Sequence, residues 1–522
     1  MKELDLIKIN KDFEPEELKI DYEQKNKKNK KQEKTESNKK KIQFISAIAN
    51  YNDNSEELQE QINNILIEER ENSSEYMETL FATSSGLGYG LYEKFMITPE
   101  EMLNKIPANP KIIIHRGTKE IGGSAIEIST KKARVLFDFG IPLESMERKD
   151  YKLEDYKLKI KGLYKDEKPQ FKAVFLTHAH PDHYGLIKLI NPKIQIYVSK
   201  ITYDILTKIT PLLPNGNYDE LENLKIIEDN KWIDMGSIKV RAHNVDHSIA
   251  GACAYEVSVF GKTIVYTGDI RFHGRASQQS EEFKNKIKNP DCMIMEGTTL
   301  GRLEQNIVTE EDLESKFIDI FKEKKLPLVQ FSPQNLARFE TVYNACIKAN
   351  KTLIIDPYTC FVLEIYKSEK DNNIPQFDWN NIGVYFAKNS VTEKLAKTKK
   401  LFEYKSKKVT EEEIIKNPEK YVIKGNWTIN SKILKQMDKN KINIIFSMWK
   451  GYLDRPNQFE NYKDLITVLH TSGHAYIKDL QQLVTTMKPQ KLIPIHTECK
   501  EKYKELFDTN IIELNDGQEF SL

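Results

Sequence analysis

Short apolar runs rich in β-branched residues predict strands from about residue 111 onward. Three of these runs, KIIIHRG, SAIEIST and RVLFDFG, are separated by turn residues, which is typical of antiparallel strands. Strand and helix patterns then alternate, and two apolar strands, in KAVFLTHAHPDH and DCMIMEGTTLG, end in polar clusters. The pattern predicts an α/β fold with polar clusters at strand ends.

A second unit is predicted between residues 301 and 465. Helical patterns such as ESKFIDIFKEK and ARFETVYNACIKAN alternate there with apolar runs such as PLVQFSP, KTLIID and INIIFS. The first pattern returns after residue 465 with ITVLHTSGHA, IKDLQQLVTTM and KLIPIHTE. We therefore expect one domain formed by residues 109–300 and 466–522, with a second α/β domain inserted at 301–465.

The first 108 residues follow neither pattern. Residues 25–41 contain nine Lys, two Glu and no apolar residue, which is a local net charge of +7. Such a block cannot bury enough surface to offset its ordering entropy, so it is typical of a solvated linker; a basic arm that tracks phosphates is the alternative. Since a helical pattern follows it, we expect a separate extension, mostly helical or disordered, and assign it no chemistry.

Composition narrows the class of protein. The 79 Lys and Arg residues balance the 78 Asp and Glu to a net charge of +1, so any anion-binding surface is local. No stretch approaches the ~18–20 apolar residues of a membrane span, and the start of the chain lacks the apolar region of a secretory signal. Five scattered cysteines without a CxxC pair argue against a disulfide framework and against a cysteine zinc site. We expect a cytoplasmic protein with no membrane contact.

Four side chains able to bind a metal fall within six residues: His178, His180, Asp182 and His183. They follow a predicted strand, and the alternation of strand residues places His178 and His180 on one side. The turn that follows brings Asp182 and His183 toward the same space. Imidazole and carboxylate groups at this density favour a borderline divalent cation, zinc above all, and are numerous enough for two ions. A polar surface loop is the alternative.

The sequence around these residues resembles a known signature. THAHPDH is similar to the HxHxDH motif of the metallo-β-lactamase superfamily, whose fold is an αββα sandwich with a metal site at one edge. Asp138 in VLFDFG, His247 in VDHSIAG and Asp269 in YTGDIR resemble the first, third and fourth motifs of that superfamily. His243 is an alternative to His247, although DHSIAG matches the third motif better.

Three later motifs resemble those of the β-CASP nucleases, a group of this superfamily that includes ribonuclease J and the endonuclease of messenger-RNA 3′-end formation. They are Glu296 in IMEGTTLG, His474 in HTSGHA and His496 in IPIHTE. The resemblance runs from about residue 111 to the last residue and implies that the inserted unit is a β-CASP domain. The N-terminal extension falls outside it.

The resemblance also implies a set of roles. Two metal ions would share Asp269, and each would have three further ligands: His178, His180 and His247 for one ion, and Asp182, His183 and His496 for the other. Asp182 would in addition orient the attacking water, and Asp138 would brace the ligand loop. His474 would act on the scissile phosphate or the leaving oxygen, with Glu296 holding its ring.

Two polar segments are candidates for substrate binding. In QFSPQNLARFE, Ser332, Asn335 and Arg338 stand where a strand gives way to a helix, so free backbone N–H groups and the guanidinium could grip a phosphate. Plain helix capping is the alternative. Thr471 and Ser472 form a similar candidate, and WKGYLDRP places aromatic residues beside Lys and Arg, where a base could stack.

We therefore expect a ribonuclease that hydrolyses RNA phosphodiester bonds with water activated by two Zn²⁺ ions per chain, which Mn²⁺ or Mg²⁺ could replace. The alternatives are a DNA nuclease of the same fold, a hydrolase of small esters or thioesters, and a silent RNA-binding scaffold. The insertion of about 180 residues between Glu296 and His474 argues against the ester hydrolase, and the intact ligand set argues against the scaffold. RNA is the expected partner, while endonuclease or 5′-exonuclease action and homodimer formation stay open.

Overall fold

A computed structural model describes residues 109–144, 152–213, 223–302, 307–367, 374–454 and 457–522. The extension at residues 1–108, with its Lys-rich segment, lies outside these residues. The chain divides into two units, and the following concerns the unit formed by residues 111–129, 133–257 and 263–522.

The described residues form three β-sheets, and the first has the strand order β20-β1-β2-β3-β4-β5-β6. Its strands are β1 (Lys111–Arg116), β2 (Ala125–Ser129), β3 (Arg134–Phe137), β4 (Ala173–Phe175), β5 (Gln195–Val198), β6 (Leu224–Ile226) and β20 (Glu519–Ser521). The first three strands are antiparallel, as their turn-separated pattern predicts. From β3 to β6 the pairing is parallel.

The second sheet has the order β19-β18-β11-β10-β9-β8-β7 in the described part of the chain. Its strands are β7 (Trp232–Asp234), β8 (Lys239–Asn244), β9 (Cys253–Val259), β10 (Lys262–Tyr266), β11 (Cys292–Glu296), β18 (Lys491–Ile495) and β19 (Asn510–Ile511). β11 pairs in parallel with both β10 and β18. The carboxyl ends of β11 and β18, where Glu296 and His496 stand, therefore meet at one edge of the sheet.

Helices connect and cover these sheets. In chain order they are α1 (Pro181–Tyr184), α2 (Lys200–Asp204), α3 (Ser277–Lys286), α4 (Glu310–Phe321), α5 (Leu336–Lys348), α6 (Pro357–Lys367), α7 (Ser390–Ala396), α8 (Lys400–Glu403), α9 (Glu411–Lys416), α10 (Trp427–Gln436), α11 (Ile477–Met487) and α12 (Tyr503–Leu506). Within the described ranges, none has the length and hydropathy needed to cross a bilayer.

The first two sheets pack face to face through aromatic rings. The ring of Tyr255 lies 5.3 Å from that of Phe137 and 5.7 Å from that of Phe175. The outer face of the second sheet is covered by α3 and α11, whose Phe283 and Leu480 lie in one buried cluster. The segments on either side of α1 bury the outer face of the first sheet. This is the αββα arrangement that the resemblance implies.

The third sheet is parallel throughout and is inserted between β11 and β18. Its strands are β12 (Leu326–Gln330), β13 (Thr352–Ile355), β14 (Ile382–Val384), β15 (Tyr421–Gly425), β16 (Ile442–Phe446) and β17 (Ile466–Val468), in the order β14-β13-β15-β12-β16-β17. Helices cover both faces, with Phe317 and Phe339 in the core on one side and Ile429 and Ile433 in the core on the other. Residues buried on both faces explain the continuous apolar runs in this part of the sequence.

The last strand of the third sheet lies beyond the predicted boundary at residue 465. Residues 466–468 pair with Ile444–Phe446 of β16, so the chain leaves the third sheet only after Val468. Sheet membership alone does not define an independently folding domain, and the domain bounds at 300 and 465 stay predictions.

Candidate metal centre

The carboxyl end of β4 delivers the histidine cluster. α1 begins directly after His180 with Pro181 as its first residue, and this short helix turns the chain back at once. The turn depends on Gly140, because a Cβ at that position would lie 1.6 Å from the backbone oxygen of Asp182. The second half of the THAHPDH segment therefore folds back over the first.

Four candidate ligand atoms form a first group. Nδ1 of His180 lies 3.0 Å from Nε2 of His178 and 3.2 Å from Nε2 of His247. Oδ2 of Asp269 lies 3.7 Å from Nε2 of His178 and 3.6 Å from Nε2 of His247. Side chains from three separate segments of the chain thus offer ligand atoms that lie within 4.8 Å of one another.

A second group lies beside the first. Oδ2 of Asp182 lies 3.3 Å from Nε2 of His496 and 3.6 Å from Nε2 of His183. Asp269 reaches this group as well, since its Oδ2 lies 3.2 Å from Nε2 of His183 and its Oδ1 lies 3.7 Å from Nε2 of His496. The carboxylate of Asp269 therefore lies between the two groups.

The donor set and its spacing fit divalent cations. Ligand atoms at about 2.0–2.1 Å from one tetrahedral zinc ion lie about 3.3 Å apart, close to the spacing in both groups. Two buried atoms, Nε2 of His183 and Oδ1 of Asp269, have no hydrogen-bond partner in the described part of the chain. Because buried polar atoms are nearly always paired, these two atoms are suited to ligate a cation.

Asp138 fixes the position of the loop that carries His178 and His183. Its Oδ2 lies 2.8 Å from Nδ1 of His183 and accepts a hydrogen bond of 2.8 Å from the hydroxyl of Tyr266. Its Oδ1 accepts a hydrogen bond of 2.7 Å from the backbone N–H of Thr177, whose hydroxyl lies 3.0 Å from Nδ1 of His178. Contacts of this kind fix the orientation of metal-binding imidazoles, in keeping with the bracing role predicted for Asp138.

Sequence reasoning missed further groups that orient the histidines. Nδ1 of His247 donates to the carbonyl of Gly473 at 2.5 Å, and Nδ1 of His496 lies 2.8 Å from the hydroxyl of Thr298. Thr298 stands two residues after Glu296 in EGTTLG, so its place beside a motif residue was the available signal. The backbone carbonyl of Gly473 has no signature in the sequence.

Burial lowers the pKa of the three histidines in the first group. It brings the pKa of His180 to about 4. It also holds the pKa of His178 and of His247 well below the usual value, since a charged ring would be desolvated there and repelled by neighbouring imidazoles. These rings are therefore neutral at pH 7, and their lone pairs are available to a cation without loss of a proton.

The second group carries charge. Burial alone would raise the pKa of Asp182 and Asp269, but the imidazole of His183 and that of His496 lower it, to about 2 for Asp182 and well below the usual range for Asp269. The same carboxylates overcome burial and raise the pKa of His183 and His496. Both carboxylates are therefore ionised at neutral pH, and protons on the two histidines compete with any cation for them.

His474 lies beside both groups. Its Nδ1 is 2.8 Å from Oε2 of Glu296 and 3.8 Å from Oδ2 of Asp269. Glu296 is itself fixed, because its Oε1 accepts a hydrogen bond of 2.9 Å from the backbone N–H of Ile270. With Nδ1 engaged and the side chain 19% exposed, Nε2 is the nitrogen that can face a substrate. Asp269, Glu296, His474 and His496 also have metal-cluster spacing, so the non-ligand role of His474 stays a prediction.

Two other histidines have structural partners. Nε2 of His243 lies 2.8 Å from the carboxylate of Glu256, away from the candidate ligands. Nε2 of His273 donates to the carbonyl of Ser472 at 2.9 Å. The geometry therefore favours His247 over His243 as the candidate metal ligand.

The substrate-binding prediction is wrong for Arg338. This side chain is fully buried, and its Nε and Nη2 donate to the two carboxylate oxygens of Glu310 at 3.0 and 3.1 Å. Its Nη1 donates to the carbonyl of Ser447 at 3.0 Å. The guanidinium cannot reach a phosphate, because Glu310, at the start of α4, provides a buried carboxylate that the local sequence does not reveal.

Asn335 and Ser332, which were predicted to bind substrate together with Arg338, differ in their contacts. Asn335 caps α5 by accepting the backbone N–H of Arg338 at 3.1 Å, which is the capping alternative. Ser332 is exposed and stays a candidate for substrate binding.

The hydroxyl groups of Thr471 and Ser472, the second substrate-binding candidate, form hydrogen bonds within the protein. The hydroxyl of Thr471 is buried and donates to the carbonyl of Val308, so the structure contradicts its use on a substrate. The hydroxyl of Ser472 accepts the backbone N–H of His474 at 3.0 Å. Ser472 therefore orients the segment that carries His474, and any contact with substrate stays a prediction.

Asp138→Asn is expected to lower the affinity for a divalent cation about 10- to 100-fold while leaving the fold intact. Asparagine matches the shape of Asp138 and tolerates its φ of 56°, but it lacks the charge and one acceptor oxygen that orient His183. Competition with a chromophoric chelator measures the affinity, and Tyr266→Phe, which keeps the carboxylate, is the control. An affinity equal to that of the wild type would mean that His183 does not need Asp138.

Two domain families match this chain. The beta-lactamase superfamily domain matches residues 157–316, a range that contains the histidine cluster, Asp269 and Glu296. The Zn-dependent metallo-hydrolase RNA specificity domain matches residues 461–511, which contain His474 and His496. Every candidate ligand therefore lies within a matched domain.

Several known proteins are similar over part or most of the chain. Ribonuclease J of Mycoplasma pneumoniae is 24% identical over 436 residues, which are 77% of this chain and 70% of that protein. RNase aCSPSF2 of Saccharolobus solfataricus is 24% identical over 217 residues, or 39% of this chain and 41% of that protein. The RNase J-like protein of Methanocaldococcus jannaschii is 29% identical over 195 residues, or 35% and 41%. The matched region thus spans less than half of each of the last two proteins.

A solved structure shares the fold. A protein of unknown function from Enterococcus faecalis superimposes with a TM-score of 0.66 over 80% of this chain and 100% of that chain, at 23% identity. The two domain matches, the order of the motifs and the similarity to ribonucleases all indicate the same family. The matched domains identify a metal-dependent hydrolase with the metallo-β-lactamase fold, and the relatives support its place in the β-CASP nuclease group.

Proposed function

We propose that this protein is a zinc-dependent ribonuclease that hydrolyses RNA phosphodiester bonds at the candidate metal centre. The observation that carries the proposal is the position of Asp269, whose carboxylate lies within 3.7 Å of nitrogens in both ligand groups. A shared carboxylate suits two adjacent catalytic cations. The RNA specificity domain at residues 461–511 and the ribonuclease relatives support RNA as the substrate.

Each ligand group would hold one ion. The first ion would bind His178, His180 and His247, the second would bind Asp182, His183 and His496, and Asp269 would contact both. When bound, such ions lower the pKa of a water molecule and stabilise the entering and leaving oxygens of an in-line displacement. The ionised carboxylate of Asp182, on a side chain that is 12% exposed, is suited to orient that water and accept its proton through the oxygen that does not hold the ion.

His474 would complete the reaction at the leaving oxygen. When its ring is doubly protonated, Nδ1–H donates to Glu296 and Nε2–H can transfer its proton to the departing oxygen. Glu296 stabilises the charged ring before the transfer and keeps Nε2 directed at the substrate. The proton taken up at Asp182 and the proton lost at His474 balance over one hydrolysis.

The proposal is tested by cleavage of 5′-labelled RNA and matching DNA, with and without a chelator. We expect cleavage of RNA, its loss on chelation, recovery with zinc, and about two zinc ions per chain by metal analysis. RNA cleavage that survives chelation contradicts the metal mechanism. Cleavage of DNA alone, or of a small ester but neither polymer, identifies a DNA nuclease or an ester hydrolase instead.

Glu296→Gln is expected to reduce kcat about 10- to 100-fold without changing zinc content. Both carboxylate oxygens of Glu296 accept hydrogen bonds, one from the backbone N–H of Ile270 and one from His474. The side-chain NH₂ of a glutamine would place a donor against one of these donors, so one hydrogen bond would be lost. Steady-state RNA cleavage and metal analysis check this. Glu256→Gln is the matched control, because it alters the buried Glu–His pair with His243 away from the centre. A parallel loss of zinc would show that Glu296 is a metal ligand.

A further inference from the structure

Lys424, near the carboxyl end of β15, is a buried cation without a partner. Its side chain is 2% exposed, and within the described ranges its ammonium has no hydrogen-bond acceptor and no carboxylate at ion-pair distance. The groups around it are the ring of Phe331, 5.9 Å from Nζ, and the more distant charge of Asp356. The ammonium is not among the fully enclosed atoms that lack a partner in the described part of the chain, so a ligand from solvent can reach it. Holding an unpaired charge in so desolvated a position is unfavourable, so stability alone does not account for this lysine.

Asp356 is used elsewhere and does not pair with Lys424. Its Oδ1 accepts a hydrogen bond of 2.8 Å from the backbone N–H of Thr359 in the first turn of α6. Its Oδ2 accepts a hydrogen bond of 2.6 Å from the side-chain amide of Asn426, the N-cap residue of α10. The nearest carboxylate therefore joins the starts of two helices and leaves the ammonium uncompensated.

Lys424 lies at the carboxyl edge of the third sheet, which is the edge where parallel sheets usually bind ligands. At the carboxyl edge of the third sheet, α6 leaves β13 toward β14, while α10 leaves the neighbouring β15 toward β16 on the other side. Adjacent strands whose connections diverge in this way open a crevice at that edge. The helix starts at Pro357 and Trp427 add positive potential to the crevice, and the ammonium of Lys424 adds a full charge.

The same edge leads into the metal centre. β17 ends at Val468, and His474 follows after five residues. Since β15 lies three strand spacings from β17, Lys424 is displaced from that segment by about 14 Å across the sheet. Val422, on the same face of β15 as Lys424, belongs to the buried cluster that includes Ala179, between two candidate ligands.

We infer that Lys424 binds a backbone phosphate of single-stranded RNA a few nucleotides from the scissile bond, an inference that rests on the proposed function. A phosphate supplies the anion that the buried ammonium lacks. Aromatic rings at the same edge favour a single strand: Trp427, at the start of α10, is 64% exposed, and Trp449, after β16, is 47% exposed. Exposed rings beside a cation are the usual means of holding unpaired bases and their phosphates.

Fluorescence anisotropy with a labelled single-stranded 12-nucleotide RNA, in chelator and over 50–300 mM KCl, tests the inference on wild type, Lys424→Met and Lys424→Arg. We expect Lys424→Met to bind about tenfold more weakly at low salt. The slope of log affinity against log salt should also fall by about 0.7 in magnitude, as loss of one phosphate contact requires. Lys424→Arg should retain both values. The thermal midpoint of Lys424→Met should equal or exceed that of the wild type, because an unpaired buried charge is gone.

Lys351→Met is the matched control at the opposite edge of the same sheet. This lysine is also buried, but its ammonium donates to the carbonyls of Glu323 and Lys325 at 3.2 and 3.0 Å. We expect a lower thermal midpoint and an unchanged salt slope. If Lys424→Met behaves in the same way, Lys424 is a structural cation and the inference is wrong, while RNA cleavage by the wild type leaves the proposed function intact. A wild type that neither binds nor cleaves RNA overturns the proposed function and the inference together.

Discussion

Replacing Asp182 by asparagine is expected to reduce RNA cleavage by about 10²- to 10⁴-fold. The carboxylate has two tasks in the proposed mechanism, as a ligand beside His183 and His496 and as the acceptor for the proton of the attacking water. The amide has the same shape but cannot accept that proton. Single-turnover rates on labelled RNA at saturating zinc measure the loss separately from product release.

The fold should survive this substitution. The backbone oxygen of Asp182 accepts the N–H of Ser124 at 3.1 Å and packs against Gly140, and neither contact involves the side chain. Asp166→Asn is the matched control, since it alters an exposed carboxylate that pairs with Lys157. A rate for Asp182→Asn equal to that of this control would exclude Asp182 from the reaction.

Arg338→Met is expected to lower the free energy of unfolding by about 3–5 kcal/mol, because it removes one partner of a buried ion pair. Glu310 is fully buried and accepts hydrogen bonds from Arg338 and from the hydroxyl of Thr341. Without the guanidinium of Arg338, the carboxylate stays desolvated and keeps, besides the hydroxyl of Thr341, only the longer contact with Arg271, whose Nη1 lies 3.8 Å from Oε1. Urea unfolding followed by circular dichroism measures the change, and Arg338→Met combined with Glu310→Leu should recover part of it because no charge is left unpaired.

The same pair makes a pH-dependent contribution to stability. Burial opposes ionisation of Glu310, but Arg338 prevails and lowers the pKa of the carboxyl to about 2. The folded value lies below the unfolded value of about 4.3, so the stabilisation is complete above that pH and is lost as the pH falls through about 2. Arg338→Met should lose most of this dependence, because Arg271 and Thr341 are the groups that still lower the pKa of Glu310. Lys348→Met, which breaks an ion pair with Glu314 through a side chain that is 60% exposed, should cost at most about 1 kcal/mol.

Local patterns in the sequence were sufficient to predict the strands, the helices and the residues of the motifs. The strands that precede THAHPDH and EGTTLG are recognisable because burial on a sheet selects apolar, β-branched residues over a few adjacent positions. His178, His180, Asp182 and His183 are recognisable because their density within six residues is itself a chemical signal. Asp269, His247, His474 and His496 needed the resemblance, since none of them lies in a comparably dense cluster of ligand residues.

Contacts between distant segments were decided only by the tertiary structure. Asp269 contacts His183 and His496, which lie 86 residues before it and 227 residues after it. The local pattern around Arg338 fits a phosphate-binding helix start equally well, and only the packing of α4 against α5 pairs it with Glu310. The membership of β17 in the third sheet depends in the same way on its pairing with β16.

The sequence by itself therefore determined the family, the strand and helix pattern and the candidate ligands, because these depend on residue type and short spacing. The tertiary structure decided which carboxylate lies between the ligand groups, which arginine is consumed by an ion pair and which lysine is left without a partner. Those outcomes depend on the free energy of packing the whole chain, in which a charge is paired, or left unpaired, by residues that no local pattern brings together.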